Sequence, residues 1–242
     1  MTNLLKVVLS GGKKNKYHND MDINDTKAFI DQHIDLFGKE FYSDINKKPD
    51  IRLTNPKPTN ESIFSFKSSI ENCKRCNLGM TRNKFVFGSG DPKADLLLVG
   101  EGPGEKEDLQ GEPFVGRAGK LLDRILKAIG YTRKKKVFIT NIVKCRPPDN
   151  RDPLPSEVKE CSPYLDKQID LIKPKLIVAL GRVAGKTLLQ KDILLKEMRN
   201  ETHYFNSIPL RVTYHPAALL RNPSLKNETW KDFQYIRDFL GS

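Results

Sequence analysis

The chain has 242 residues, 38% of them hydrophobic and 30% charged, with a mean hydropathy of −0.54. That length suits one domain of ordinary size, with or without an appendage, and the composition excludes fibrous and wholly disordered classes. Lys and Arg number 42 against 30 Asp and Glu, a net charge of +12. Such an excess fits a polyanionic partner, nucleic acid first, and equally a lysine-rich solvated surface.

No stretch approaches the roughly 18 apolar residues of a membrane helix. Met1 to Ser10 is apolar only in short pieces ahead of Lys13 and Lys14, with no signal-peptide core. A soluble intracellular protein without membrane contact is expected. Residues 1–60 are expected to be a polar, partly flexible extension, separate from a domain over 61–242. They hold 10 basic and 8 acidic residues and a late cluster of Pro49, Pro56 and Pro58. Ile30, Ile34, Phe37 and Phe41 fall at helical spacing, so one short helix is expected there, weakened by Gly38.

From residue 61 strands and helices alternate. Ala94 to Val99 is a short apolar run closing in Gly100, the pattern of a buried parallel strand. Ala118, Leu121, Leu122, Ile125, Leu126 and Ile129 form one helical face before Gly130. Val137–Thr140 is a second strand. Ser156–Ile172 reads as helical, with a kink or break expected at Pro163. Leu176–Leu180 is a third strand, Val183–Gln190 a helix and Leu210–Thr213 a fourth strand. Trp230, Phe233, Ile236, Phe239 and Leu240 mark a final helix. The expected fold is α/β: a three-layer α/β/α sandwich around a central, mainly parallel four-stranded sheet. In such sheets ligands bind beyond the carboxyl ends of the strands.

The segments after each strand therefore carry the candidates. After the first comes Gly100-Glu101-Gly102-Pro103-Gly104, a tight turn whose backbone N–H groups can face a ligand. It is not a dinucleotide fingerprint, because the spacing is G-x-G-x-G and no helix is expected to start there. Glu101, Glu105, Glu107 and Asp108 concentrate acid in a basic chain. Phe114 lies in the loop Gly111–Gly119 outside any core periodicity; it can stack on a base or plug the core. Asn141 follows the second strand and can present a donor and an acceptor side by side, or cap a turn. Gly181-Arg182-Val183-Ala184-Gly185-Lys186-Thr187 resembles a P-loop but is one residue short between its glycines, which leaves a strand-to-helix turn. After the fourth strand comes His215-Pro216, then Ala217 to Leu220 and Arg221: a DNA wedge with a cationic companion, or an ordinary capped loop before a helix.

Cys73 and Cys76 form a C-x2-C pair, whereas Cys145 and Cys161 have fifteen residues between them. Four cysteines without histidine and with one open pair fit an iron–sulfur cluster better than structural zinc, which stays open as the alternative. Lys74, Arg75, Lys144 and Arg146 flank the ligands, where they offset thiolate charge and are expected to meet phosphates.

Together, the segments Gly100–Gly104, Gly111–Gly119, Thr140–Pro148 and His215–Pro223, with the cysteines in their order and spacing, resemble the family 4 uracil-DNA glycosylases over about residues 62–240. The resemblance implies an α/β/α sandwich holding a 4Fe-4S cluster on Cys73, Cys76, Cys145 and Cys161. It implies excision of uracil from single- or double-stranded DNA by a monomer, without strand cleavage. By motif, Phe114 matches the aromatic that stacks on uracil and Asn141 the amide that reads its edge. Gly102 matches the backbone contact to the base, His215 the donor to uracil O2, and Glu101 the polar residue that positions or activates water. Glu107 is placed to crowd the pyrimidine 5-position. Leu219, Leu220 and Arg221 are candidates to fill the gap left by the extruded base. Two other readings remain at this stage: a glycosylase of broader specificity in the same superfamily, disfavoured by Glu101, and a non-catalytic iron–sulfur DNA-binding module.

Overall fold

The computed structural model describes residues 62–241; the expected helix around Ile30–Phe41 and the rest of residues 1–60 lie outside them. The described chain opens with α1 (Ile63–Ile70), capped by the reciprocal Ser62–Ser65 pair, and the short α2 (Leu78–Thr81). β1 (Ser89–Gly90) and β2 (Leu96–Gly100) follow, then α3 (Glu105–Gln110) and α4 (Arg117–Ala128). β3 (Val137–Asn141), α5 (Pro155–Ile172), β4 (Leu176–Leu180), α6 (Arg182–Leu189) and α7 (Leu195–Arg199) come next. The hairpin β5 (His203–Phe205) and β6 (Ile208–Thr213) leads to α8 (Pro216–Arg221) and α9 (Lys226–Gly241).

The strands form one sheet in the order β1-β3-β2-β4-β6-β5, its four inner strands parallel and its two edges antiparallel. Alternation along β2 divides the core into two layers. Leu97 and Val99 pack with Phe66, Leu165, Ile169 and Leu188 on one face. Leu96 and Leu98 pack with Leu122, Leu126, Phe233 and Ile236 on the other. Every residue of β2, β3 and β4 is buried, as expected of strands covered on both faces.

The three layers agree with the sequence expectation, but the sheet has six strands and not four. The two additional strands are only two and three residues long, too short to show alternation. The β5–β6 hairpin turns on Asn206 and Ser207, both at positive φ (47° and 68°), the backbone of a two-residue type I′ turn. Pro163 neither breaks nor ends α5, which continues to Ile172. Pro163 is exposed, so the Lys159 carbonyl that loses its helical donor lies on the solvent side. A helix does start after Gly104: α3 carries Glu105, Glu107 and Asp108 in its first turn, where acids favour the helix dipole, and Gly111 at φ 80° stops it. The final helix expected around Trp230–Leu240 is α9, with Phe233 and Ile236 buried and Trp230 exposed.

The order β3-β2-β4 makes β2 the switch point: the chain leaves β2 to one side, returns past it and continues on the other. The carboxyl ends of β2, β3, β4 and β6 therefore surround one opening. One wall depends on Gly119 in α4. A Cβ there would lie 1.6 Å from the Phe114 carbonyl oxygen. Gly119→Ala is expected to push the Phe114 loop away and to cost at least the ~1–3 kcal/mol typical of overpacking, measured by urea unfolding; an unchanged midpoint would refute the packing argument.

Candidate active site and cysteine recess

A cleft of about 540 Å³ opens at the strand ends. It is lined by Glu101 and Gly102 after β2, Asn141 at the end of β3, Gly181 and Arg182 after β4, and His215 after β6, with Phe114 from the loop before α4. The five residues that the sequence nominated for base binding and catalysis are thus neighbours in space, although Glu101 and His215 stand 114 positions apart.

Asn141 is the centre of this arrangement. Its side chain is 1% exposed, and its Oδ1 is, among the described residues, the one buried side-chain oxygen or nitrogen with no hydrogen-bond partner. The strand register places Asn141 opposite Gly100. A Cβ on Gly100 would come within 2.4 Å of Asn141 Oδ1 and 2.8 Å of the Phe114 ring, so glycine is what allows amide and ring to meet over the strand end. Phe114 holds φ 54°, in the left-handed region that a bulky residue rarely adopts. Three contacts hold it there. Glu107 Oε1 accepts from the Val115 and Gly116 N–H groups, both at 2.9 Å. Arg133 donates to the Pro113 carbonyl at 2.6 Å and to the Phe114 carbonyl. Gly119 admits the Phe114 backbone against α4.

The Phe114 and His215 rings lie 5.4 Å apart and tilted by 33°. His215 is the N-cap of α8 and its Nδ1 accepts the Ala217 N–H at 3.1 Å. The bond requires an unprotonated Nδ1, so the neutral ring carries its proton on Nε2. Burial and then the Arg221 charge lower the His215 pKa to about 4, against the opposing effect of Glu107. The ring is therefore neutral at pH 7, with its Nε2–H left to donate to a ligand. Glu101 is shifted the other way: burial and then the Asp152 carboxylate raise its pKa to about 7, with Arg182 opposing. Asp152 and Arg182 form an ion pair at 2.5 Å beside it in the cleft.

Gly102 lines the cleft and leaves no room for a side chain, since a Cβ would meet Val143 Cγ2 at 2.9 Å. Glu107 also lines it, but one carboxylate oxygen is committed to the Phe114 loop. The Ala217–Leu220 segment forms α8, not a loop, and its residues separate: Leu219 is 1% exposed whereas Leu220 is 37% exposed and Arg221 faces the cleft. Of the wedge candidates, only Leu220 and Arg221 reach solvent. Lys144, expected to meet phosphates, is 0% exposed and cannot. Its ammonium donates to Thr140 Oγ1, the Asn141 carbonyl and Gln168 Oε1, each at 2.7 Å. Arg75 is exposed and pairs with Glu160 at 3.1 Å. Sequence reasoning missed Arg182 and Asp152 as cleft residues. The rule that sites follow strands pointed to Arg182, just after β4; nothing local marks Asp152.

The four cysteines line one recess together with Arg75, Gly79, Phe85, Glu160 and Tyr164. Sulfur receives donors from several sides. Arg82 Nη1 lies 3.2 Å from Cys145 Sγ, and Tyr164 Oη and the Arg75 N–H lie 3.2 and 3.5 Å from Cys73 Sγ. A Cβ on Gly79 would press on the Cys73 carbonyl at 2.8 Å, so this glycine lets α2 close against the C-x2-C turn. Among the described residues, no three His, Cys, Asp or Glu side chains are placed to share a single metal ion. The donor set is all sulfur, hydrogen-bonded at its rim, and spread around a common hollow. Such a set fits an iron–sulfur cluster, which takes four cysteine thiolates.

The family model of the uracil DNA glycosylase superfamily matches residues 87–234, the stretch that contains every cleft residue named above. A type-4 uracil-DNA glycosylase of Sulfurisphaera tokodaii is 45% identical over 186 residues, covering 74% of this chain and 84% of the relative. That of Archaeoglobus fulgidus is 41% identical over 189 residues, covering 75% of this chain and 94% of the relative. That of Saccharolobus solfataricus is 41% identical over 190 residues, covering 75% and 88%. With a cleft at the switch point lined by Asn141, Phe114 and His215, and four cysteines around one recess, the chain belongs to the uracil DNA glycosylase superfamily and, within it, to the type-4 uracil-DNA glycosylases.

Proposed function

We propose that the chain is a DNA-repair hydrolase that cleaves the N-glycosidic bond of deoxyuridine in DNA, releasing uracil and leaving an abasic site, with the chemistry carried by residues 61–242. The observation that carries this reading is the unpartnered Asn141 Oδ1. A buried acceptor without a donor costs ~1–3 kcal/mol, and uracil N3–H is the donor that would satisfy it while the amide N–H of Asn141 meets O4. Cytosine carries an acceptor at N3 and a donor at C4, so it would leave the same amide doubly unpaired. One fixed side chain then selects uracil against the ordinary pyrimidine of the duplex.

The base reaches the cleft by leaving the stack. Phe114 receives its face, and Gly102 lets the backbone approach its edge. Leu220 and Arg221, exposed on α8 beside the cleft, would occupy the vacated place in the duplex. As the bond from N1 to C1′ opens, its electron pair moves onto the pyrimidine. His215 Nε2–H donates to O2, where the negative charge gathers. A neutral imidazole suits this task, because it stabilises the anion as a donor without first having to be protonated. The sugar becomes cationic, and the Glu101 carboxylate stabilises it and takes a proton from the attacking water. The water oxygen bonds to C1′, and the uracil anion later takes a proton from solvent. A base with a pKa near 7 is matched to work at neutral pH. The net charge of +12 supplies grip on the phosphate backbone that weakens with salt. All these groups come from one chain, so a monomer suffices. Residues 1–60 are read as an appendage to this domain.

Cys73, Cys76, Cys145 and Cys161 would hold a 4Fe-4S cluster. Bound there, it would tie α2, the loop after β3 and α5 together; hydrolysis needs no electron from it.

Asn141→Ala and His215→Ala are each expected to slow single-turnover excision by ~10²–10³-fold with little change in affinity for uracil-free DNA. A wild-type rate in either would remove that residue from the mechanism. The single-turnover rate should rise with pH and level off above about 7, because ionised Glu101 is the competent form. Glu101→Gln should abolish that rise and lower the plateau by ~10²-fold or more; an unchanged pH profile in this variant would show that another group accepts the proton. The purified protein should be brown and carry about four irons per chain, and a colourless preparation with one zinc per chain would overturn the cluster assignment.

A further inference from the structure

Lys144 is unexplained by the scheme above. It is fully buried, its ammonium meets three neutral oxygens at 2.7 Å, and none of the three is a carboxylate. A charge is costly to bury; Cys145 and Cys161 nearby favour the ammonium, but all three of its hydrogen bonds go to oxygens of the β3 end and of α5. One acceptor is the backbone carbonyl of Asn141. The antiparallel pairing with β1 covers only Phe138 and Ile139, and beyond it the donor that reaches β3 at Asn141 is this lysine. The other side of the same strand end is held by parallel bonds to β2, from Ile142 N–H to the Gly100 carbonyl and from Val143 N–H to the Glu101 carbonyl, at 2.9 and 3.1 Å. The lysine is itself anchored. Its backbone carbonyl accepts the Val86 N–H at 2.9 Å. Gln168, which lies on α5 two turns beyond Cys161, accepts from the ammonium and donates to the Phe87 carbonyl at 2.8 Å. The strut thus runs from the cysteine-bearing helix to the strand end that presents the amide.

We propose that Lys144 is a positioning residue for substrate recognition: by holding the Asn141 carbonyl it fixes the Asn141 side chain in the narrow slot between Gly100 and Phe114 where it can read uracil. The tolerance is small, since Oδ1 already lies where a Cβ on Gly100 would be 2.4 Å away. The proposal rests on Asn141 being the base-reading amide.

The test is Lys144→Met in the full chain, with free uracil as the probe. Inhibition by free uracil should weaken by about tenfold or more, and single-turnover excision per iron-loaded molecule should slow by a similar factor. Affinity for uracil-free duplex DNA and the visible spectrum should match wild type. In an Asn141→Ala background the lysine substitution should add nothing further to either loss, because both act through one amide. A cluster-loaded Lys144→Met protein with wild-type uracil inhibition and rate would overturn the proposal, as would additive losses in the double variant. Should Lys144→Met not fold, Gln168→Leu removes one anchor and should weaken uracil inhibition by about threefold in the same direction; unchanged inhibition there would also overturn it. If Asn141→Ala alone leaves uracil inhibition intact, the base-reading assignment is what fails, and this proposal falls with it.

Discussion

The end of β3 places a side-chain oxygen in a space where no protein group can satisfy it, and the cleft is organised around that oxygen. Native interiors rarely leave such an atom alone. Here the vacancy is enforced from several directions. Gly100 removes the Cβ that would fill the slot, Phe114 covers one side in a backbone conformation it would not choose, and Lys144 holds the strand from beneath. Each of these costs stability by itself. Together they leave one buried acceptor, and its natural complement is the N–H of a planar base.

The electrostatics of the cleft extend the same economy. His215 and Glu101 are both displaced from their ordinary ionisation, in opposite directions. Burial keeps the imidazole neutral and the Nδ1 bond directs its proton to Nε2. Burial and Asp152 bring the carboxylate to the threshold of ionisation. The linkage has a sign. A carboxyl whose folded pKa is raised contributes stability in its protonated form, fully present below its ordinary value and lost as pH rises through about 7. The domain therefore gives up some stability as Glu101 ionises near neutral pH.

The cysteine recess and the cleft share elements. Cys145 follows Lys144 directly, and α5 carries both Cys161 and Gln168. Whatever orders the recess therefore also bears on the end of β3, where Lys144 joins Gln168 to the Asn141 carbonyl.

Much of this was legible in the chain itself. The alternation of buried apolar runs with amphipathic stretches specifies strands and helices because each periodicity matches one backbone geometry. The glycine-rich turn, the C-x2-C pair and the His-Pro step are local and can be read locally. The two edge strands could not be read, since two or three residues carry no period. The small helix after Gly104 was hidden by its glycines, and the continuity of α5 through Pro163 depends on which way its free carbonyl faces. Only the tertiary structure decided which charges are buried and which are free. Lys144 and Arg146 are nearly adjacent in a basic segment, yet only Lys144 lies wholly inside, because Thr140, Asn141 and Gln168 converge on its ammonium there. Leu219 and Leu220 are adjacent and face opposite ways. Asp152 and Arg182 reach Glu101 only because the strand order carries the chain past β2 and back. Composition and spacing fix what a residue can do, but partners far apart in sequence fix what it does, and those are set by packing.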